Sequence, residues 1–98
     1  MEIRIQSIHF DASHQLKELI EKKMNKLTLF CDEILAAEIT LKVVKPETNK
    51  NKEVGIKLVI SGNDLFANKV NDSFEAALDE ASEALQKQLL RYKEKVKK

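Results

Sequence analysis

Ninety-eight residues, 43% of them apolar, imply one domain with a single modest core. Seventeen bases against sixteen acids leave a net charge of +1, which argues against indiscriminate nucleic-acid binding over the whole surface. One cysteine, Cys31, excludes an internal disulfide and suits a reducing compartment. There is neither a signal-peptide core in MEIRIQSI nor an apolar run near the ~20 residues of a membrane span, so a cytoplasmic location without membrane contact is expected.

Met1–Ile8 alternates, with Ile3 and Ile5 on one side and Glu2, Arg4 and Gln6 on the other, the pattern of a half-buried strand. Ser13 can cap a helix carrying Leu16, Leu19, Ile20, Met24, Leu27 and Phe30 on one face. Lys17, Lys22, Lys23 and Lys26 stand on its outer surface with Glu18 and Glu21 among them, and Glu18–Lys22 has the spacing of an ordinary ion pair. Ile34–Val44 is a second strand, with Ile39, Leu41 and Val43 alternating against Glu38, Thr40 and Lys42. The only proline opens the polar stretch Pro46–Lys52, an exposed hairpin connection. A third strand, Val54–Ile60, points Val54, Ile56, Leu58 and Ile60 inward. Gly62-Asn63-Asp64 reads as a turn, and Leu65–Val70 as a shorter, weaker strand.

Asp72–Lys98 is one long amphipathic helix. Phe74, Leu78, Ala81, Leu85, Leu89, Tyr92 and Val96 form a continuous apolar stripe, and Asp72 with Glu75 has the spacing of a capping box. Its charge reverses along its length. Asp72, Glu75, Asp79, Glu80 and Glu83 come first; Lys87, Arg91, Lys93, Lys95, Lys97 and Lys98 follow, against Glu94 alone. Acids near the start and bases near the end complement the helix dipole, which accounts for part of the asymmetry. Lys87, Arg91, Lys95 and Lys98 also advance by four, four and three, forming a basic ridge suited to a polyanion, with RNA the first choice.

The order β-α-β-β-β-α predicts an α+β two-layer sandwich, a four-stranded sheet with both helices on one face. The outer charges of the helices would then share a surface, bringing Lys22, Lys23 and Lys26 toward Lys87, Arg91 and Lys95. Catalytic constellations are missing from the pattern. His9, His14 and Cys31 match no metal spacing, and two glycines build no phosphate loop, so no enzyme activity, cofactor or small-molecule substrate is expected. Phe10, Phe30, Phe66, Phe74 and Tyr92 sit mostly at core-compatible positions. This argues against base stacking on an exposed sheet and for phosphate contacts from helix-borne bases.

DSFEAALDEASEALQKQLLRYKEK, residues Asp72–Lys95, resembles the Asp-x-aromatic-x-Ala-hydrophobic-Asp opening and the Gln-Leu-x-basic-aromatic-Lys-x-Lys ending of the ribosome hibernation-promoting factors, also called the ribosome-associated inhibitor or sigma-54 modulation group. Leu16-Lys17-Glu18 and Lys23-Met24-Asn25-Lys26-Leu27 are similar to its first helix, and Leu41-Lys42-Val43 to its second strand. The resemblance covers essentially the whole chain, as in the short members, and implies a fold similar to a double-stranded-RNA-binding domain with an added first strand. It implies a non-catalytic factor, monomeric off the ribosome. Such a factor would occupy the mRNA and tRNA channel of the small ribosomal subunit in stationary or stressed cells and inhibit translation. It carries rRNA contacts over to Lys23, Lys26, Lys87, Arg91, Lys93 and Lys95, with Gln88 as a polar neighbour; Lys22 joins them from the charge pattern of the first helix. Ala84 departs from the family, which often has lysine there, so that contact is absent or supplied elsewhere. Two other functions fit the residues: a general double-stranded-RNA binder, and a protein-interaction module whose charged helices meet an acidic partner.

Overall fold

The computed structural model describes residues 1–8, 10–44 and 49–96. It contains β1 (Glu2–Ile8), α1 (His14–Leu27), β2 (Ile34–Val43), β3 (Lys52–Ile60), β4 (Asn63–Asn71) and α2 (Phe74–Val96), the expected order. The strands form one sheet in the order β1-β2-β3-β4. β1 runs parallel to β2, and the remaining pairs are antiparallel. His9 and residues 45–48, the heart of the expected hairpin connection, lie outside the described residues, as do 97 and 98 at the end of the basic run.

Register explains the layers. Ile5, Ile39, Ile56 and Ala67 fall in one cross-strand row, and Ile3, Ala37, Leu58 and Leu65 in the next. Period-2 geometry puts both rows on one face. There they meet Leu16, Ile20, Met24 and Leu27 of α1 and Ala77, Leu78, Ala81, Leu85 and Leu89 of α2 in a single core. Ile20, Met24, Leu78, Leu85 and Leu89 are fully buried, so each helix turns its expected stripe to the sheet. Both helices therefore cover the same face, with α2 over β3 and β4. Burying any one of these large side chains is worth about 1.5–3 kcal/mol, so the core supplies the main drive to fold. None of the helices among the described residues is long and apolar enough to cross a membrane.

The local signals hold for α1 and shift for α2. Ser13 Oγ accepts the Leu16 amide at 3.1 Å, and α1 closes where the Thr28 hydroxyl donates to the Asn25 carbonyl at 2.6 Å. The cap of α2 is Ser73, not Asp72: Ser73 Oγ accepts the Ala76 amide at 3.1 Å. Asp72 is drawn outside the helix, its amide donating to Asn71 Oδ1 at 2.7 Å, so the expected box with Glu75 does not form. The β3–β4 turn also comes earlier. Ser61 and Gly62 make it, with Gly62 at φ +80°, a region where glycine carries no Cβ penalty. Asn63 and Asp64 are thereby released to pair with Ile60 and Val59, which makes β4 nine residues long. Leu35 falls at a β-bulge between Ile34 and Ala36 and is 58% exposed, and Val43 emerges at the end of β2.

One aromatic side chain departs from expectation. Phe10 stacks on Phe74 with ring centroids 5.0 Å apart, against the core. Phe66 instead lies on the open sheet face, 58% exposed. Its ring passes over Gly55, where a Cβ would sit 3.7 Å from Cζ.

Candidate nucleic-acid interface

The expected bases line separate hollows along α2, one shared with α1 and two on the side of β4. The groove between the helices has a volume of about 280 Å³ and is lined by Lys23, Lys26, Leu27 and Phe30 on one side and Asp79, Ser82, Glu83 and Gln86 on the other. The Lys23 ammonium lies 2.5 Å from Asp79 Oδ1. Lys26 and Lys22 are exposed, and the buried Ser82 hydroxyl has no hydrogen-bond partner among the described residues. Two lysines are thus balanced by two carboxylates, and the groove carries no excess of positive charge.

Lys87 and Arg91 stand about 80° and 120° further round α2 than Asp79, at 100° per residue. That rotation turns them from α1 toward β4. Lys87 lines a hollow with Lys69, Glu80, Glu83 and Ala84, and Arg91 lines another with Asn63, Leu65, Gln88 and Tyr92. Lys93 is exposed on the last turns, and the side chain of Lys95 lies outside the described residues. Lys23 and Lys26 thus line the groove between the helices, while Lys87 and Arg91 line hollows on the β4 side of α2. Glu83 borders both the groove and the Lys87 hollow and stands between the two groups.

Lys69 was not among the expected bases. It shares the inward row of β4 with Leu65 and Ala67, where a lysine ought to be excluded. At the edge of the sheet it emerges beside Ala84 and Lys87. A charged residue on the inward row of an edge strand was the signal available. It places a base next to the position where Ala84 lacks one.

Three polar contacts fix α2 on its support. The Gln88 side-chain amide donates to the Phe66 carbonyl at 3.0 Å, so it satisfies an edge-strand carbonyl as well as standing among the bases. Asn71 Nδ2 donates to Glu80 Oε1. The Tyr92 hydroxyl donates to Glu33 Oε2 at 2.9 Å, and this hydrogen bond, with burial and the Glu33 charge adding to it, raises the phenol above its ordinary pKa. His14, exposed, pairs with Glu18 at 2.6 Å, and Cys31 is buried in the core.

A family model described as sigma 54 modulation protein / S30EA ribosomal protein matches residues 3–97, spanning all six elements. The chain belongs to this family. Among curated S30EA relatives, the ribosome hibernation promoting factor of Azotobacter vinelandii is 26% identical over 95 residues, a match covering 97% of this chain and 85% of that protein. The solved structure of a ribosomal subunit interface protein from Coxiella burnetii superposes with a TM-score of 0.85 at 29% identity, covering 95% of this chain and 98% of the other. The Thermus thermophilus Protein Y N-terminal domain, 22% identical with a TM-score of 0.82 over 94% of this chain and 99% of that one, shares the fold.

Proposed function

We propose that this protein is a non-catalytic, cytoplasmic ribosome-binding factor that lies in the mRNA and tRNA channel of the small subunit and holds translation off in stationary or stressed cells. The observation that carries this reading is membership of the S30EA family together with exposed Lys87 and Arg91 on the β4 side of α2, neither in an ion pair among the described residues. Lys87, Arg91 and Lys93, joined by Lys69, meet rRNA phosphates; Lys22, Lys23 and Lys26 extend the contact from α1, and Lys95 and Gln88 from α2. One domain suffices for this, acting as a monomer off the ribosome. Phosphates dominate such an interface, so binding releases counterions and falls steeply with salt. The test is co-sedimentation with purified small subunits at rising salt. The expected result is a protein that pellets with the subunits at low salt and is lost at moderate salt. A protein that stays in the supernatant throughout sinks the ribosomal reading, and pelleting insensitive to salt sinks the phosphate interface. A generic RNA duplex that competes as well as the subunit would favour general duplex binding.

A further inference from the structure

Of the three hollows described along α2, two contain acids: Asp79 and Glu83 in the groove, Glu80 and Glu83 beside Lys87. The third, about 160 Å³ between α2 and the β3–β4 turn, has none in its lining. Its walls are Asn63, Leu65, Gln88, Arg91 and Tyr92. The hollow offers one cation, Arg91. It adds two carboxamides, an aromatic ring and an aliphatic floor. Together these are the groups that hold a nucleobase: a flat apolar surface for the ring face, amides for the edge, a guanidinium for the phosphate or the base edge.

Two walls are already fixed in place. Gln88 donates one amide hydrogen to the Phe66 carbonyl, which sets the plane of the carboxamide and leaves its second hydrogen and its oxygen free to meet an edge. Tyr92 is tethered through its hydroxyl to Glu33, which meets it at the end of the ring and outside the lining. A site held in this way loses little side-chain freedom on binding.

We propose that this hollow seats one unpaired nucleotide of the RNA that α2 binds, its base over Leu65 and Tyr92, its edge toward Asn63 and Gln88, and its phosphate on Arg91. The inference deepens the RNA-binding reading and rests on it. Base-on-aromatic stacking is sequence-tolerant, so the selectivity is for an unstacked base rather than for a particular one.

The experiment uses the full chain and two RNA hairpins that differ by a single bulged adenosine, with affinity read by fluorescence anisotropy at fixed salt. The bulged hairpin should bind at least about five-fold tighter, the lower end of what one stacked base provides. Asn63 is exposed and enters β4 through its backbone, so Asn63→Ala should fold as wild type, verified by circular dichroism. Asn63→Ala, and Tyr92→Leu where it folds, should lose most of the preference and leave affinity for the unbulged hairpin unchanged; Arg91→Glu should weaken both RNAs. Equal binding of the two hairpins by wild type overturns the proposal, as does a preference that survives in folded Asn63→Ala. Co-sedimentation separates the two layers: a protein that pellets with small subunits but ignores the bulge refutes the nucleotide seat alone. One that neither pellets nor binds either hairpin refutes the RNA reading as well.

Discussion

Asp79→Asn should make the protein bind small subunits more tightly while making it slightly less stable. The Lys23 ammonium lies 2.5 Å from Asp79 Oδ1, with the two side chains 32% and 58% exposed. An ion pair this open to solvent is worth about 0.2–1 kcal/mol after screening. Lys23 must leave it before reaching a phosphate, so the pair opposes binding by that amount. Asparagine removes the charge and keeps the shape. The gain is then about 1.4- to 5-fold in affinity, at 1.36 kcal/mol per factor of ten. Freeing one cation should also steepen the dependence of log affinity on log salt by up to about 0.9. The cost to folding is the same pair, which lowers the melting temperature by no more than about 4–8 °C. The assay is a salt series of small-subunit binding alongside a thermal melt. In a Lys23→Ala background the same change should gain less, because no ammonium remains to be released. A folded Asp79→Asn protein that binds no tighter than wild type refutes the competition. One that binds more weakly shows instead that Asp79 holds Lys23 in its working position.

Arg91→Glu should fold normally, since Arg91 is exposed and away from core and caps, yet lose small-subunit binding in co-sedimentation; Glu80→Lys should not weaken it. Wild-type pelleting of folded Arg91→Glu removes Arg91 from the interface. Leu85→Ala and Leu41→Ala, both fully buried, should each cost about 2–5 kcal/mol in denaturant unfolding, and a smaller loss would mean that the neighbours collapse into the space. Ser73→Ala should cost about 1 kcal/mol and Asp72→Ala less, the order that distinguishes the observed cap from its neighbour.

The layers were legible because burial obeys local periodicity. Val54, Ile56, Leu58 and Ile60 had to share a face, and Leu78, Ala81, Leu85 and Leu89 had to share a stripe. Neighbouring alternatives of similar chemistry were harder. Asp72 and Ser73 can each cap a helix, and the choice was made by Asn71, which takes the Asp72 amide. In β4, hydrophobicity favours burying Phe66, but pairing of Leu58 with Leu65 and Ile56 with Ala67 sends Phe66 to the other face. The site suffered most. Spacing along α2 shows which residues line up, but the rotation of the helix on the sheet decides whether a line faces α1 or β4. That rotation is set by packing across elements distant in sequence, so the division between Lys23 and Arg91 could not be read from either helix alone.

The charge reversal in α2 can now be apportioned. A helix dipole acts mainly within the first and last turns. With α2 running from Phe74 to Val96, that effect covers Glu75 at one end and Lys93 and Lys95 at the other. Among the remaining acids, Asp79 is occupied with Lys23 and Glu80 with Asn71. Lys87 and Arg91 lie five or more residues before the end, beyond the reach of that explanation, and they carry the case for a ligand. Glu83 supplies the boundary. A carboxylate at the border of both the groove and the Lys87 hollow repels phosphate, so an RNA strand gains most by engaging the C-terminal part of α2 on the β4 flank, at Arg91 and beyond. Of the α1 lysines, Lys23 can join only as far as Asp79 releases it. On the proposed function, the RNA footprint would run from the β3–β4 turn along the end of α2, with the groove between the helices as its secondary contact.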